Sequence, residues 1–316
     1  MGDSPGSGQT YNEKVLRKNY EAAGYDAISQ ELGIPLNYDT GYREVPAPDG
    51  RMVKRFSIIA PVLDADAIVV VSKAKTHSLT YISGAAKNLF GVIPGFEKPF
   101  YHAKMPERED FCRMIVDLNE VVKPKLQVMD AVMAMEGDGP HTGTPRKIAA
   151  IMASGDYTAI DVLMARLMSF DPMQIGTIKA AVERGLIRED LSDIAALGDD
   201  PSSLIIPDFK HPSTYSGSDG KSGKPRLVQR IVMATFSIIA RTYLPWPVIQ
   251  TGRCISCMLC VRSCPKQTIS VVNKKPKIGY KNCIRCYCCH EMCDSHAISL
   301  QRSAAGKIIA KVMRTA

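Results

Sequence analysis

Residues 254–272 read CISCMLCVRSCPKQTISVV and residues 283–301 read CIRCYCCHEMCDSHAISLQ, and the two stretches align without a gap. Each contains cysteines in the spacing C-x2-C-x2-C-x3-C. Nine of the ten cysteines in the 316-residue chain lie in this part, and only Cys112 lies outside it. An internal repeat of this kind indicates that both copies build the same small structural unit.

This spacing is typical of ligands to iron–sulfur cubes. Three cysteines with two-residue gaps reach three corners of a [4Fe–4S] cluster, and the fourth corner faces away from their loop. In bacterial two-cluster ferredoxins, the last cysteine of the other copy binds that corner. We therefore expect two [4Fe–4S] clusters, each with four thiolate ligands: Cys254, Cys257, Cys260 and Cys293 for the first, and Cys283, Cys286, Cys289 and Cys264 for the second.

Structural zinc is the alternative, because zinc sites also use C-x2-C pairs. A tetrahedral ion needs four ligands, and a twice-repeated run of three plus one fits that geometry poorly. Residues 250–302 resemble two-cluster ferredoxins with three departures. Asp294 replaces the proline that usually follows the fourth cysteine, and Met258 and Tyr287 occupy a position that is often glycine. Cys288 is an additional thiol, expected to be a bystander, with a role as an alternative ligand left open.

The rest of the chain indicates a reducing compartment. Its first ten residues have neither the basic nor the apolar region of an export signal, so the thiols are interpreted as ligands or redox groups. The longest apolar stretch, 231–240, is followed by Arg241 and Pro245 and is shorter than the roughly 18 residues of a membrane span. We expect a cytoplasmic protein without a transmembrane segment. A helix lying on a membrane surface, flanked by Arg226 and Arg230, is the alternative.

Charge is divided unevenly along the chain. From Gln250 onward there are 12 Lys and Arg against two acids, a formal +10, whereas the whole chain carries +8 and residues 1–249 therefore carry −2. The cations either offset negative iron–thiolate cores or form a docking face for an acidic redox partner. No nucleic-acid partner is expected, because the aromatic platform on which bases stack is lacking.

Residues 211–225, HPSTYSGSDGKSGKP, predict an exposed linker because they are rich in Ser, Gly and Pro. The linker separates two unlike halves of the chain. We expect four parts in all: an α/β domain at 1–210, a linker and connecting helix at 211–249, a ferredoxin domain at 250–302 and a tail at 303–316.

Helical and strand patterns alternate upstream of the linker. Helices are predicted at 15–31, 107–122, 157–169 and 173–184, and strands at 55–60, 67–72, 126–129 and 148–153. The continuous apolar run AIVVVS at 67–72 is typical of a buried strand in a parallel sheet. The alternation predicts an α/β fold with a largely parallel sheet and flanking helices. Ligands gather at the carboxyl ends of strands in such sheets.

Three polar segments are candidates for a binding site: KAKTH at 73–77, directly after the apolar run, GAAKNLFG at 84–91, and EGDGPHTG at 136–143. Lysines and a histidine just past a buried strand are placed to bind an anion. An extended backbone would put Lys73, Lys75 and His77 on one side.

We therefore expect an anion-binding cleft that is open to solvent and faces the ferredoxin domain. Its substrate-binding residues would be Lys73, Lys75, His77, Lys87 and Asn88. Asp156 and Asp161 are the expected acidic partners of these lysines. If such pairs formed inside a sealed interior, the site would be structural instead.

These segments resemble the uncharacterised DUF362 family over about residues 2–185, through GDSPG, KAKTH, AAKNLFGVIPG, GDG and GDYTAID. Members often carry a ferredoxin module at the C-terminus. The resemblance implies an α/β fold and a pocket, but no reaction, because the family is uncharacterised. Members usually place a strand before GDSPG. Here Gly2 follows Met1 at once, so we expect an N-terminally incomplete sheet with an exposed edge.

Three functions are compatible with these features. The first is an oxidoreductase whose α/β domain binds an anionic substrate or cofactor while the clusters supply electrons. The second is a non-catalytic electron carrier that uses the α/β domain as a docking platform, and the third gives the clusters a structural or redox-sensing role. The basic segments favour the first over the second, but no GxGxxG or other cofactor motif supports it. Cysteine at every corner leaves no iron open for chemistry, so the clusters would carry electrons only.

Overall fold

The computed structural model describes residues 1–6, 9–95, 97–215 and 245–304. The predicted connecting helix, the apolar stretch 231–240 and most of the tail lie outside the described residues. Residues 211–215, at the start of the predicted linker, are packed rather than exposed. The Tyr215 ring lies 4.9 Å from that of Phe170, and the Thr214 hydroxyl donates to the Ser78 carbonyl at 2.6 Å.

The elements before the linker are α1 Glu13–Ala22, α2 Tyr25–Leu32, β1 Tyr42–Pro46, β2 Arg55–Ile59, α3 Ala60–Leu63, β3 Val69–His77, β4 Tyr81–Ile82, α4 Ala85–Asn88, α5 Lys98–Lys104, α6 Arg108–Val122, β5 Leu126–Glu136, β6 Thr144–Ser154, α7 Tyr157–Leu167 and α8 Gly176–Arg184. Those after it are β7 Trp246–Ile249, α9 Leu259–Arg262, β8 Ile269–Val272, β9 Lys275–Ile278, α10 Cys288–Glu291 and β10 Ile298–Gln301. None of these helices is long and apolar enough to cross a membrane.

Several predicted elements have different bounds. The helix predicted at 15–31 is broken into α1 and α2 because Gly24 adopts a left-handed conformation with φ 75°. The strand predicted at 67–72 continues to His77, so KAKTH lies within β3 and not after it. The strand predicted at 126–129 continues to Glu136, and the last helix begins only at Gly176. Helices α6 and α7 lie within two residues of their predicted bounds.

The α/β class is confirmed, but the main sheet is mixed. Its strand order is β4-β3-β5-β6, and only β3 and β5 run parallel. β6 follows β5 through the short loop 137–143, and a connection without a crossover helix makes neighbouring strands antiparallel. The prediction of a largely parallel sheet is therefore wrong.

Helices cover one face of this sheet. Phe111 and Leu118 of α6 belong to the same buried cluster as Ala74 of β3 and Met129 of β5. In the part of the chain that the structure describes, the opposite face is open and apolar. Val71 is 69% exposed and Ile151 is 70% exposed on that face.

The ferredoxin unit is built from two antiparallel strand pairs and two short helices. β7 pairs with β10, and β8 pairs with β9 as a hairpin. Residues 246–249 therefore pair within this unit, ahead of the boundary predicted at 250. Tyr287, from the second cysteine motif, is buried in the main core of the α/β domain. The two domains thus share a hydrophobic core in the described structure.

Candidate functional site

The two copies of the cysteine repeat have the same backbone conformation. Ser256 and Met258 in the first copy, and Arg285 and Tyr287 in the second, have left-handed φ values between 54° and 60°. Left-handed residues turn the chain sharply, which lets closely spaced cysteines surround one space. Glycine adopts this conformation without steric cost, which explains why it is common at the positions of Met258 and Tyr287.

Each of two cavities is lined by four cysteines. The first cavity is lined by Cys254, Cys257, Cys260 and Cys293. The second is lined by Cys283, Cys286, Cys289 and Cys264. Each cavity therefore takes three thiols from one copy and one from the other. All of these cysteines are free thiols.

The chemistry of these donors fits a cluster better than a single ion. Among the residues that the structure describes, no three His, Cys, Asp or Glu side chains are arranged to hold one metal ion. The thiols surround a volume instead. The backbone amides of Thr268 and Ala297 donate to the sulfurs of Cys264 and Cys293, at 3.3 and 3.1 Å. Such bonds stabilise the negative charge of a ligating thiolate. The residues fit two [4Fe–4S] clusters.

Cys288 does not belong to the lining of either cavity. It is fully buried. A hydrogen bond from the Cys288 thiol lowers the pKa of Cys286, one of the thiols of the second cavity. The Cys288 thiol therefore favours the thiolate form of Cys286.

The second motif also contacts the α/β domain through α10. Oε1 of Glu291 lies 3.1 Å from Nε2 of His77, at the end of β3, and the side chains of His77 and Glu291 are 1% and 11% exposed. Next to this pair, the Thr142 hydroxyl lies 2.9 Å from Nε2 of His290. These contacts join the ferredoxin domain to the carboxyl end of β3.

Lys75 and Lys87 lie close to the same contact. Burial lowers the pKa of both ammonium groups, the charge of Lys87 lowers that of Lys75 further, and the charge of Glu291 opposes both effects. Both side chains keep part of their surface in contact with solvent. In the described residues, neither ammonium group forms a salt bridge or a hydrogen bond. Burial lowers the pKa of His77 to about 4, so this imidazole is neutral at pH 7.

Glu291 carries the negative charge of the contact. Burial raises the pKa of the Glu291 carboxyl, but His77, Lys87 and His102 together outweigh burial and hold the pKa below its usual range. Of these three groups, His77 lowers the pKa of Glu291 most, and Lys87 follows it. The interface therefore holds the Glu291 carboxylate near the ammonium groups of Lys75 and Lys87, and the Asp3 carboxyl also acts on Lys75.

Sequence reasoning missed several residues at this interface. Lys98 donates to the Ser4 hydroxyl at 2.8 Å and to the Pro5 carbonyl at 2.8 Å, in the GDSPG loop. His102 is buried against Phe111, with ring centres 4.4 Å apart, and its Nδ1 has no hydrogen-bond partner in the described structure. Glu291 was also missed. The sequence feature that could have identified Glu291 is that it is one of only two acids after residue 250.

Two of the predicted residues lie elsewhere. Lys73 donates to Asp130 at 2.7 Å on the open face of the sheet. Asn88 is exposed and donates to the Val71 carbonyl at 3.2 Å. Lys73 pairs with Asp130 of β5 but Lys75 pairs with Met135, so β5 contains extra residues between these two positions. The structure therefore brings Lys75, His77 and Lys87 together, but not Lys73 or Asn88.

The expected acidic partners also have other roles. Asp156 caps α7 by accepting from the Thr158 amide at 2.7 Å. Asp161 accepts from the amides of Ala85 and Ala86 at the start of α4, at 2.6 and 3.2 Å. Both carboxylates are used by helix termini, where free amides attract them. Neither pairs with a lysine, so that expectation is corrected.

Acidic side chains of the third polar segment, residues 136–143, accept hydrogen bonds from the backbone around the start of the predicted linker. Glu136 is buried and accepts from the Lys210 amide at 3.1 Å, and Asp138 accepts from the Ser213 amide at 2.6 Å. His141 is exposed. These acids therefore have structural partners.

Comparison with known proteins matches this arrangement. A family model described as a domain of unknown function (DUF362) matches residues 1–166, and a model described as a 4Fe-4S dicluster domain matches residues 247–294. A Synechocystis protein named thylakoid-associated protein sll1697 is 30% identical over 255 residues, which cover 80% of this chain and 75% of that protein. The two matched ranges coincide with the α/β sheet and with the cysteine cavities. The chain therefore belongs to the DUF362 family and carries a C-terminal domain for two [4Fe–4S] clusters.

Proposed function

We propose that the protein passes electrons through its two clusters to or from a small anion held by Lys75, His77 and Lys87 at the domain interface. One observation carries the proposal: Glu291 lies 3.1 Å from His77. Glu291 stands two residues from both Cys289 and Cys293, which line different cavities. The interface is therefore within a few residues of both cluster sites.

The lining of the two cavities supports the proposed ligand sets. The first cluster is proposed to bind Cys254, Cys257, Cys260 and Cys293, and the second to bind Cys283, Cys286, Cys289 and Cys264. When bound, the clusters supply transfer of single electrons. With a thiolate at every corner, a substrate must bind elsewhere.

The charges at the interface support an anion as the bound molecule. Lys75 and Lys87 repel each other, and the nearby carboxyls of Glu291 and Asp3 do not restore the pKa of either lysine to its usual value. A carboxylate or phosphate group would reduce this repulsion and accept hydrogen bonds from both ammonium groups. Both lysine residues are partly exposed. In this role the protein is an oxidoreductase.

A non-catalytic electron carrier is the second candidate. The open sheet face, with Val71 and Ile151 exposed, favours it because an apolar surface of this kind suits a docked protein. A carrier would bind iron and sulfide but no small molecule.

The proposal includes a cytoplasmic location. The name of the Synechocystis relative gives the alternative, which is association with a membrane. Cell fractionation distinguishes the two, because a cytoplasmic protein stays in the supernatant at low and high salt.

The interface can be tested by identifying what it binds. Protein purified without oxygen is denatured, and the extract is searched by mass spectrometry for a stoichiometric anion. We expect the Lys75→Gln, Lys87→Gln double variant to lose it, because both ammonium groups are removed. Lys73→Gln is the matched control and should retain it, since Lys73 pairs with Asp130 on another surface.

Iron content decides whether the result is informative. All variants should contain about eight irons, as two cubanes require. If fully loaded wild-type protein yields no anion and binds neither phosphate nor citrate in calorimetric titrations, the carrier function replaces the oxidoreductase proposal.

A further inference from the structure

The two cysteine cavities differ in their contact with solvent. Cys257 at the first cavity is exposed, and Ile255 beside it is 69% exposed. At the second cavity, Tyr287 and Cys289 are buried, and Tyr287 belongs to the core of the α/β domain. The first cavity therefore has an exposed edge at Ile255 and Cys257, and the second contacts the core of the α/β domain through Tyr287.

A basic hairpin borders the first cavity. Pro276 of β9 lines the cavity, and the neighbouring Lys275 donates to the Cys254 carbonyl at 3.1 Å. Asn273 and Lys274 form the two-residue turn between β8 and β9, both with left-handed φ. Lys274, Lys275 and Lys277 are all exposed. The hairpin therefore places three cations beside the cavity.

Apolar side chains lie among these cations. Val271 is 52% exposed and Val272 is 46% exposed on β8. We call the following set the basic hairpin surface: Arg253, Ile255, Val271, Val272, Lys274, Lys275 and Lys277. In a docked complex, the apolar side chains would be covered by the partner while the charged ones form a polar rim.

Little negative charge offsets this surface. Within described residues 245–304, the acids are Glu291, which is buried against His77, and Asp294. Cations that only neutralised the cluster cores would not need to project at a hairpin tip beside exposed valines. Charge complementarity instead favours an acidic partner.

We propose that the basic hairpin surface docks an acidic one-electron carrier protein over the first cavity. In this contact the reduced carrier gives up one electron and is oxidised, and the protein takes up that electron, or the same electron passes in reverse. The inference rests on the electron-transfer role but not on anion binding by Lys75 and Lys87.

Binding of two acidic carriers to the cluster-loaded protein tests this inference. A flavodoxin and a plant-type [2Fe–2S] ferredoxin are titrated without oxygen by calorimetry at 50 and 200 mM NaCl. We expect at least one to bind, and more weakly at the higher salt, because added ions screen exposed charges. The Arg253→Gln, Lys274→Gln double variant should weaken binding about tenfold and reduce the dependence on salt. Lys275 is left intact because it contacts Cys254.

Matched variants separate docking from other effects. Lys14→Gln with Lys18→Gln removes the same charge from exposed positions of α1, and its affinity should equal that of the wild type. Ile255→Ser should weaken binding at both salt concentrations alike. The Lys75→Gln, Lys87→Gln variant should bind carriers normally even if the anion proposal fails. Iron content and visible absorbance verify that each variant is loaded.

Three results would overturn the inference. The first is that neither carrier binds the loaded protein, and the second is that the α1 control weakens binding as much as the hairpin variant does. The third is binding to phosphatidylglycerol vesicles, and not to phosphatidylcholine vesicles, with no binding of either carrier. That result would assign the surface to an anionic membrane.

Discussion

At the scale of single residues, Cys264 belongs to the first motif in the sequence but lines the second cavity in the structure. We expect Cys264→Ala to lower the iron content from about eight to about four, because the second cluster loses one of its four ligands. Iron and sulfide analysis gives the loss, and electron paramagnetic resonance of the reduced protein shows which cluster remains.

Cys288→Ala is the matched control for this experiment. Cys288 lines neither cavity, so the variant should keep about eight irons. Loss of iron from Cys288→Ala together with full iron in Cys264→Ala would contradict the proposed ligand sets.

At the scale of elements, α4 depends on one buried carboxylate. Asp161 accepts from two amides at its start, and a Cβ at Gly84 would lie 1.9 Å from Asp161 Oδ1. Only glycine therefore fits between the carboxylate and this short helix, which carries Lys87. Burial raises the pKa of Asp161 to about 7, although the bonds from Ala85 and Ala86 oppose this.

This pKa predicts a pH dependence of stability. An unfolded Asp titrates near about 3.9, so between about pH 4 and 7 the folded chain holds a proton that the unfolded chain releases. The free energy of unfolding should therefore fall as pH rises through this window, by at most about 1.4 kcal/mol per pH unit. Thermal unfolding followed by circular dichroism from pH 5 to 7.5 measures the slope.

Asp161→Asn should flatten this slope because its side chain does not titrate. Asp156→Asn is the control, since Asp156 caps α7 at the protein surface and should leave the slope unchanged. An unaltered slope in Asp161→Asn would assign the pH dependence to another group.

At the scale of the whole molecule, the contact between Glu291 and His77 couples the two domains. Glu291→Ala removes the carboxylate that faces Lys75 and Lys87, so their charges at the interface lose their compensation. We expect the wild type to lose cluster absorbance and helical circular dichroism at the same temperature. In the variant, cluster absorbance should be lost first. Asp294→Ala, an exposed acid in the same motif, should behave as the wild type. Coincident transitions in Glu291→Ala would mean that the shared core around Tyr287 is sufficient for coupling.

The cluster domain can be predicted from sequence because its information is local. The C-x2-C-x2-C-x3-C spacing holds three thiols within one turn of chain, and the repeat supplies the fourth. The DUF362 membership and the two clusters therefore follow from the amino-acid sequence alone, and both are confirmed. Helices such as α6 and α7 are also predictable, because their apolar periodicity is a local property.

The tertiary structure decided which distant groups meet. The main sheet is mixed because β6 returns directly beside β5, and hydrophobicity alone does not indicate strand direction. Lys73 pairs with Asp130 on the open face of the sheet, and Asp156 and Asp161 accept hydrogen bonds from amides at helix starts. The acid that faces the lysines, Glu291, comes from a motif more than 200 residues away from them in the chain. Pairings over such distances depend on how the domains pack, which no local pattern in the sequence records.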